Sequence, residues 1–102
     1  MPYILKSDRT LFDLPLKEIL SKMNTMADFG DGTVKAGVLN YLTSMLCKYF
    51  IKINGTNYEN LNAVCGALDC AKEEFRRRVI NPYEEGKIKI NGDIYNDEEE
   101  QL

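Results

Sequence analysis

Apolar residues recur at intervals of three and four along three stretches of this chain, and that spacing predicts amphipathic helices rather than strands. In the first stretch Leu16, Ile19, Leu20, Met23 and Ala27 repeat, leaving Lys17, Glu18, Ser21 and Lys22 for water. Asp13-Leu14-Pro15 suits the helix start, because proline's missing N–H would lack a partner in a first turn anyway. The stretch ends near Phe29-Gly30. Gly30-Asp31-Gly32-Thr33 then reads as a flexible break, with Gly37 either inside the next helix or delaying it to Val38.

From Val38 to Ile51, the residues Val38, Leu39, Leu42, Met45, Leu46, Tyr49 and Phe50 cover more than one stripe, the pattern of a central helix packed on two neighbours. A third helix is expected to open at Thr56-Asn57-Tyr58-Glu59, which has capping-box spacing. Leu61, Val64, Leu68, Ala71, Phe75 and Val79 then hold close to a helical period, widened by Cys65 and Ile80. Gly66 inside this helix costs about 1 kcal/mol against alanine, so close approach of a neighbour is the expected compensation. Asn81-Pro82 is expected to end or kink it, since proline disfavours α geometry in the residue before it. Asn81 would then cap a short fourth helix with Pro82 at its first position and Glu84-Glu85 near its positive end.

An internal echo links Ile51-Lys52-Ile53-Asn54-Gly55-Thr56-Asn57-Tyr58 to Ile88-Lys89-Ile90-Asn91-Gly92-Asp93-Ile94-Tyr95. Each copy reads either as a helix stop, with Asn-Gly giving a left-handed cap, or as a hairpin, since Lys87-Ile88-Lys89-Ile90 alternates and Asn-Gly favours tight turns. The helix stop is preferred, because the surroundings are helical and an isolated hairpin is only marginally stable. The expected fold is all-α, a three-helix bundle with a short C-terminal helix or turn extension. Residues 1–92 would form a single helical domain, and 93–102 an acidic, disordered tail.

At 102 residues, 44% of them hydrophobic, the chain has the length and apolar content for one domain rather than two cores. It has no histidine and no tryptophan, which removes Ser-His-Asp and Cys-His catalysis, His-bearing zinc sites and His-ligated haem. The net charge of −3 is uneven. Five acidic groups lie in Asp93–Leu102, so residues 1–92 carry a slight positive excess, too small for a nucleic-acid binder that works by counterion release. Cys47, Cys65 and Cys70 lie in helical patterns, with Cys65 and Cys70 about 140° apart around one helix, so they are read as buried thiols in a reducing cytoplasm. The opening Met1-Pro2-Tyr3-Ile4-Leu5 is followed at once by Lys6, Asp8 and Arg9, which does not read as a secretory leader.

The densest polar cluster on a defined element is Lys72-Glu73-Glu74-Phe75-Arg76-Arg77-Arg78, followed by Asn81, Tyr83 and Glu84. Adjacent guanidinium groups can clamp phosphate or carboxylate, which makes Lys72, Arg76, Arg77, Arg78 and Tyr83 candidate ligand-binding residues. The plainer reading pairs Glu73 with Arg77 and Glu74 with Arg78 at i,i+4 on a solvated face, leaving Arg76 beside Lys72. Asn40 and Tyr41, set among apolar residues of the central helix, are further candidates: a buried amide needs partners, whereas the plainer reading turns Asn40 to water and leaves the Tyr41 hydroxyl at the rim. No metal-ligand spacing or phosphate loop is present. Asp97-Glu98-Glu99-Glu100 reads as a solvated end, not a cation site, and no cofactor is expected.

Leu39-Asn40-Tyr41, Asn62 through Leu68, Ala71 through Val79, Pro82-Tyr83-Glu84 and Lys87 through Tyr95 together resemble a family of small uncharacterised proteins from bacteriophages and bacteria. The family's pieces read Gly-Asp-Leu-Asn-Tyr, Glu-Phe-Tyr-Arg-Arg, Pro-Tyr-Glu and Asn-Gly-Asp-Val-Tyr. This chain departs with Val38 in place of the aspartate and Arg76 in place of the tyrosine. The resemblance covers about the last two-thirds of the chain and implies a phage or prophage setting, with no activity to carry over.

The expected function is a non-enzymatic binding module in the host cytoplasm that sequesters a small anionic ligand, such as a nucleotide in a counter-defence role, or occupies a host protein. The alternative is a homo-oligomeric structural or assembly protein. An enzyme built on Asp69, Glu74 and Tyr83 is weighed and set aside, since nothing fixes their geometry.

Overall fold

The computed structural model describes residues 4–96. Its elements in order are α1 (Lys6–Asp28), α2 (Ala36–Asn54), α3 (Tyr58–Phe75), a five-residue π turn (Arg76–Ile80) and α4 (Asn81–Asn91). The last three follow one another without a break, and there is no strand among the described residues. The fold class is all-α: three helices, the third prolonged by a short C-terminal helical extension, the element set of a helical bundle. Two units divide the chain, Met1–Val64 and Cys65–Leu102. No described helix is long and apolar enough to cross a membrane. Part of the proposed tail, 97–102, lies outside the described residues.

Helix α1 begins at Lys6, nine residues before Pro15, where the start was expected. Leu5 is extended (φ −61°, ψ 147°), and Asp8 sits in the first turn, where its carboxylate faces the positive end of the helix dipole. The Asp8 N–H donates to the Leu5 carbonyl at 3.0 Å. Pro15 therefore lies in the helix interior, where it removes the bond to the Leu11 carbonyl at a cost of about 3 kcal/mol. The sequence signal missed here is Phe12, four residues before Leu16, which continues the apolar stripe upstream of the proline. At the other end the Phe29 N–H donates to the Thr25 carbonyl, and Gly32 turns the chain with φ +85°.

Helix α2 includes Gly37 and stops at the first copy of the echo. Gly55 has φ 102° and ψ 155°, and its N–H donates to the Ile51 carbonyl at 2.7 Å. The second copy repeats this geometry: Gly92 has φ 91° and ψ 157°, with its N–H on the Ile88 carbonyl at 2.8 Å. Both copies are helix stops, not hairpins. Each uses an extended ψ at positive φ, a region open essentially to glycine alone, in place of the left-handed cap expected.

Beyond the two stops the chain takes different courses, for a local reason. After Gly55, Asn57 caps α3 by accepting the Asn60 N–H on Oδ1 at 2.8 Å, so Asn57, not the expected Thr56, is the capping residue. Asn60 Nδ2 also donates to the carbonyls of Asn54 and Gly55, both at 3.0 Å, which satisfies acceptors left open at the end of α2. After Gly92 the position matching Asn57 is Ile94, which has no acceptor. No helix restarts there; Asp93 instead accepts the Tyr95 N–H and the Asn96 amide, each at 2.9 Å, and closes a turn.

The helix does not end at Asn81. Asn81 keeps α geometry (φ −62°, ψ −45°), and its N–H donates to the Arg76 carbonyl, five residues back. Pro82 cannot donate and would crowd the Arg78 carbonyl; widening the preceding turn by one residue relieves that conflict without breaking the rod. Asn81 is accordingly no N-cap, and Ile80 before it makes no side-chain cap bond.

No described residue is buried, in either unit. Within Met1–Val64, α1 and α2 do not come into backbone contact. Two expectations fail for that reason. A Cβ placed on Gly66 would meet nothing within 4 Å, so no neighbour presses on it. The thiols are free, Cys47 half-buried and Cys65 and Cys70 exposed, so none is the buried thiol expected.

Candidate functional site

The arginine cluster occupies the π turn that Pro82 imposes, which alters its pairing. Glu74 Oε1 and Oε2 both accept from Arg77 Nη2 at 3.0 Å, and Glu74 Oε2 lies 3.5 Å from Arg78 Nε. The expected Glu74–Arg78 pair is present. Arg77, however, pairs with Glu74 and not with Glu73. These contacts hold the Glu74 carboxyl below its ordinary value, chiefly through the Arg77 hydrogen bond and then through the charges of Arg77 and Arg78. Among the described residues, Lys72, Glu73 and Arg76 enter no ion pair. One turn beyond, Lys87 Nζ stands 5.6 Å from the centre of the Tyr83 ring, a cation–π stack that places a further cation on the same unit.

Asn40 and Tyr41 belong to the other unit. Both are exposed, so Asn40 carries no desolvation cost and needs no internal partner. The plainer reading of Asn40 describes its place, while the Tyr41 ring is more open than a rim position implies.

Sequence reasoning missed a polar knot between α1 and α2. Asp31 Oδ1 accepts the Thr33 N–H at 3.1 Å and the Thr33 hydroxyl at 2.6 Å, and Asp31 Oδ2 accepts Lys35 Nζ at 2.5 Å. Led by the Lys35 bond and then the Thr33 hydroxyl, these contacts pull the Asp31 carboxyl from 3.8 to about 2. The available signal was Asp31-Gly32-Thr33, an Asx-type turn sequence read only as a flexible break. The knot fastens the loop between α1 and α2.

The larger feature is apolar. On α2 the residues Leu39, Leu42, Leu46, Tyr49 and Ile53 follow one another at intervals of three, four, three and four. On α1 the residues Phe12, Leu16, Ile19, Met23 and Met26 do so at four, three, four and three. A period of 3.5 residues places such a set along one seam, the pattern by which helices pack side chain into hole against another helix. Much of each seam stands in water, with Leu16 58% exposed, Leu46 64% and Ile53 83%, while Ile19, Met23 and Leu42 are half-buried. Soluble monomers rarely expose a contiguous apolar patch above about 300–600 Å², and larger ones mark interaction sites. The described elements therefore carry two exposed features, the apolar seams of α1 and α2 and the cationic turn. Among the described residues no three His, Cys, Asp or Glu side chains converge on a common point.

Against known proteins, a family model described as Domain of unknown function (DUF6899) matches residues 1–94. No curated protein and no solved structure matches the chain.

Proposed function

We propose that this chain, which belongs to the DUF6899 family along residues 1–94, is a non-enzymatic association module that works by packing its apolar helical seams against another polypeptide. One observation carries the reading: 44% of the residues are hydrophobic, yet no described residue is buried. Apolar side chains left in water forfeit the main favourable term in folding, so a polypeptide with these faces gains stability by covering them. Between the two readings of the sequence, the exposed seams favour assembly over capture of a small ligand. Amide exchange on the chain diluted to monomer tests the reading. Fast exchange along α1 and α2, slowed when the chain is concentrated or partnered, is the expected result; a slowly exchanging core in the monomer would contradict it.

A second reading rests on Lys72 and Arg76, one helical turn apart and free of carboxylate partners among the described residues. In it the π turn takes a small anion, of which a nucleotide signal captured in counter-defence is one instance. The phage or bacterial setting and the cytoplasmic location belong to this proposal and draw support from the resemblance of the motif residues. Calorimetric titration with cyclic nucleotides tests it: R76A should weaken binding more than R77A, because Arg77 is held by Glu74, and equal affinity in all variants would dismiss the site.

A further inference from the structure

We infer that Asn91 is a site of spontaneous covalent modification, where the Gly92 amide closes a succinimide on the Asn91 side chain and water opens it to isoaspartate or aspartate, while the matching Asn54 is protected by the fold. The two helix stops supply the comparison. Each has the sequence Ile-Asn-Gly, at Ile53-Asn54-Gly55 and at Ile90-Asn91-Gly92, so the intrinsic reactivity of the two side-chain amides is alike. Glycine after asparagine leaves the attacking nitrogen uncrowded, since it carries no Cβ. In both stops that nitrogen is engaged: the Gly55 N–H donates to the Ile51 carbonyl at 2.7 Å and the Gly92 N–H to the Ile88 carbonyl at 2.8 Å. Reaction therefore requires the end of the helix to open, and the cost of opening sets the rate.

That cost differs between the copies. Asn54 Nδ2 donates to the Phe50 carbonyl at 2.8 Å, which holds the side chain back along α2. Asn60 Nδ2 clamps the Asn54 and Gly55 carbonyls at 3.0 Å each, and Gly55 is half-buried. Bringing the Gly55 nitrogen onto Asn54 Cγ disturbs all of these bonds besides the one to Ile51. At the second stop the Asn91 side chain makes no hydrogen bond among the described residues, Asn91 and Gly92 are both exposed, and no helix restarts to hold the chain beyond. Only the Gly92 N–H bond and the last turn of α4 oppose the reaction, and helix ends open at the lowest cost. The step needs water alone. The Gly92 nitrogen gives its proton to solvent base and bonds to Asn91 Cγ, the Cγ–Nδ2 bond breaks, and ammonia leaves. Water then adds at either ring carbonyl and opens the ring, with no change of oxidation state. The product sets a carboxylate at the negative end of the α4 dipole, so modification loosens the helix end that permitted it.

Peptide mapping by mass spectrometry of the full chain, aged in mildly alkaline buffer with and without urea, tests the inference. In the folded chain Asn91 should convert at least about tenfold faster than Asn54, the least expected from the additional hydrogen bonds at the first stop. Isoaspartate should be the larger product. In urea the two rates should converge, because the fold alone separates them, and N60A should speed conversion at Asn54 while leaving Asn91 unchanged. Equal rates in the folded chain, or faster conversion at Asn54, would overturn the inference. A difference that persists in urea would overturn it as well, since local sequence would then be the cause. So would an Asn91 that stays intact in the folded chain and converts only in urea, and an Asn54 rate unchanged in N60A would overturn its protection by the fold.

Discussion

Asp31 shows how much of this fold is fastened by single polar side chains. Its carboxyl sits at about 2 in place of 3.8 because Lys35 and Thr33 bond the charged form. The folded value lies below the unfolded one, so the contribution to stability is complete above about 3.8 and is lost as pH falls through about 2. An NMR titration of the Asp31 carboxyl should show a midpoint near 2, returning toward 3.8 in K35A; an unchanged midpoint in K35A would remove Lys35 as the cause. Glu74 behaves in the same sense: R77A should raise its midpoint more than R78A, because the Arg77 hydrogen bond is the leading cause of the lowering. Capping makes a second residue-scale prediction. N57A should destabilise the protein by about 1 kcal/mol in urea titration, through loss of the Asn60 N–H bond, whereas T56A should change little. At Gly66, where nothing lies within 4 Å of an added Cβ, alanine should stabilise by up to about 1 kcal/mol. At Gly55, with φ +102°, it should destabilise.

At the scale of elements, the periodic core of each helix was legible because side-chain spacing reports directly on the helical repeat. The ends were less so. Pro15 signalled a start, but the stripe through Phe12 carries α1 past it; Pro82 signalled a stop, and the chain instead widened one turn and continued. In both places a local rule about proline met a longer helical segment, and the segment prevailed. The two Asn-Gly copies were legible as helix stops, since the residues before them are periodic at helical and not strand spacing. The π turn is the cost of keeping Pro82 within the rod, so P82A should let the turn relax toward α geometry and raise the melting temperature. A lower melting temperature in P82A would mean that the π turn is held by something other than the proline.

For the molecule as a whole, the sequence disclosed the apolar faces but not whether the chain would cover them itself. Periodicity says which side of a helix is oily, and it is silent on whose side chains fill the holes. The expectations of buried thiols and of a close neighbour at Gly66 assumed an internal partner and failed together. The candidate site divides in the same way. The arginines were visible as a run of charge, while the capture of two of them by Glu74 depended on a turn geometry that no spacing rule supplies. Substituting a seam residue should separate folding from assembly. L46D should lower the association constant by about tenfold or more, a free-energy change of at least about 1.4 kcal/mol, while S44D, about 160° from Leu46 around the same helix, should leave it near wild type. Sedimentation of both variants checks this.

The most direct measurement is hydroxyl-radical footprinting of Leu39, Leu46 and Ile53 across a dilution series. These side chains should be shielded in concentrated protein and become labelled, together, as the mass falls to that of one chain. Equal labelling at every concentration would contradict association through the α2 seam.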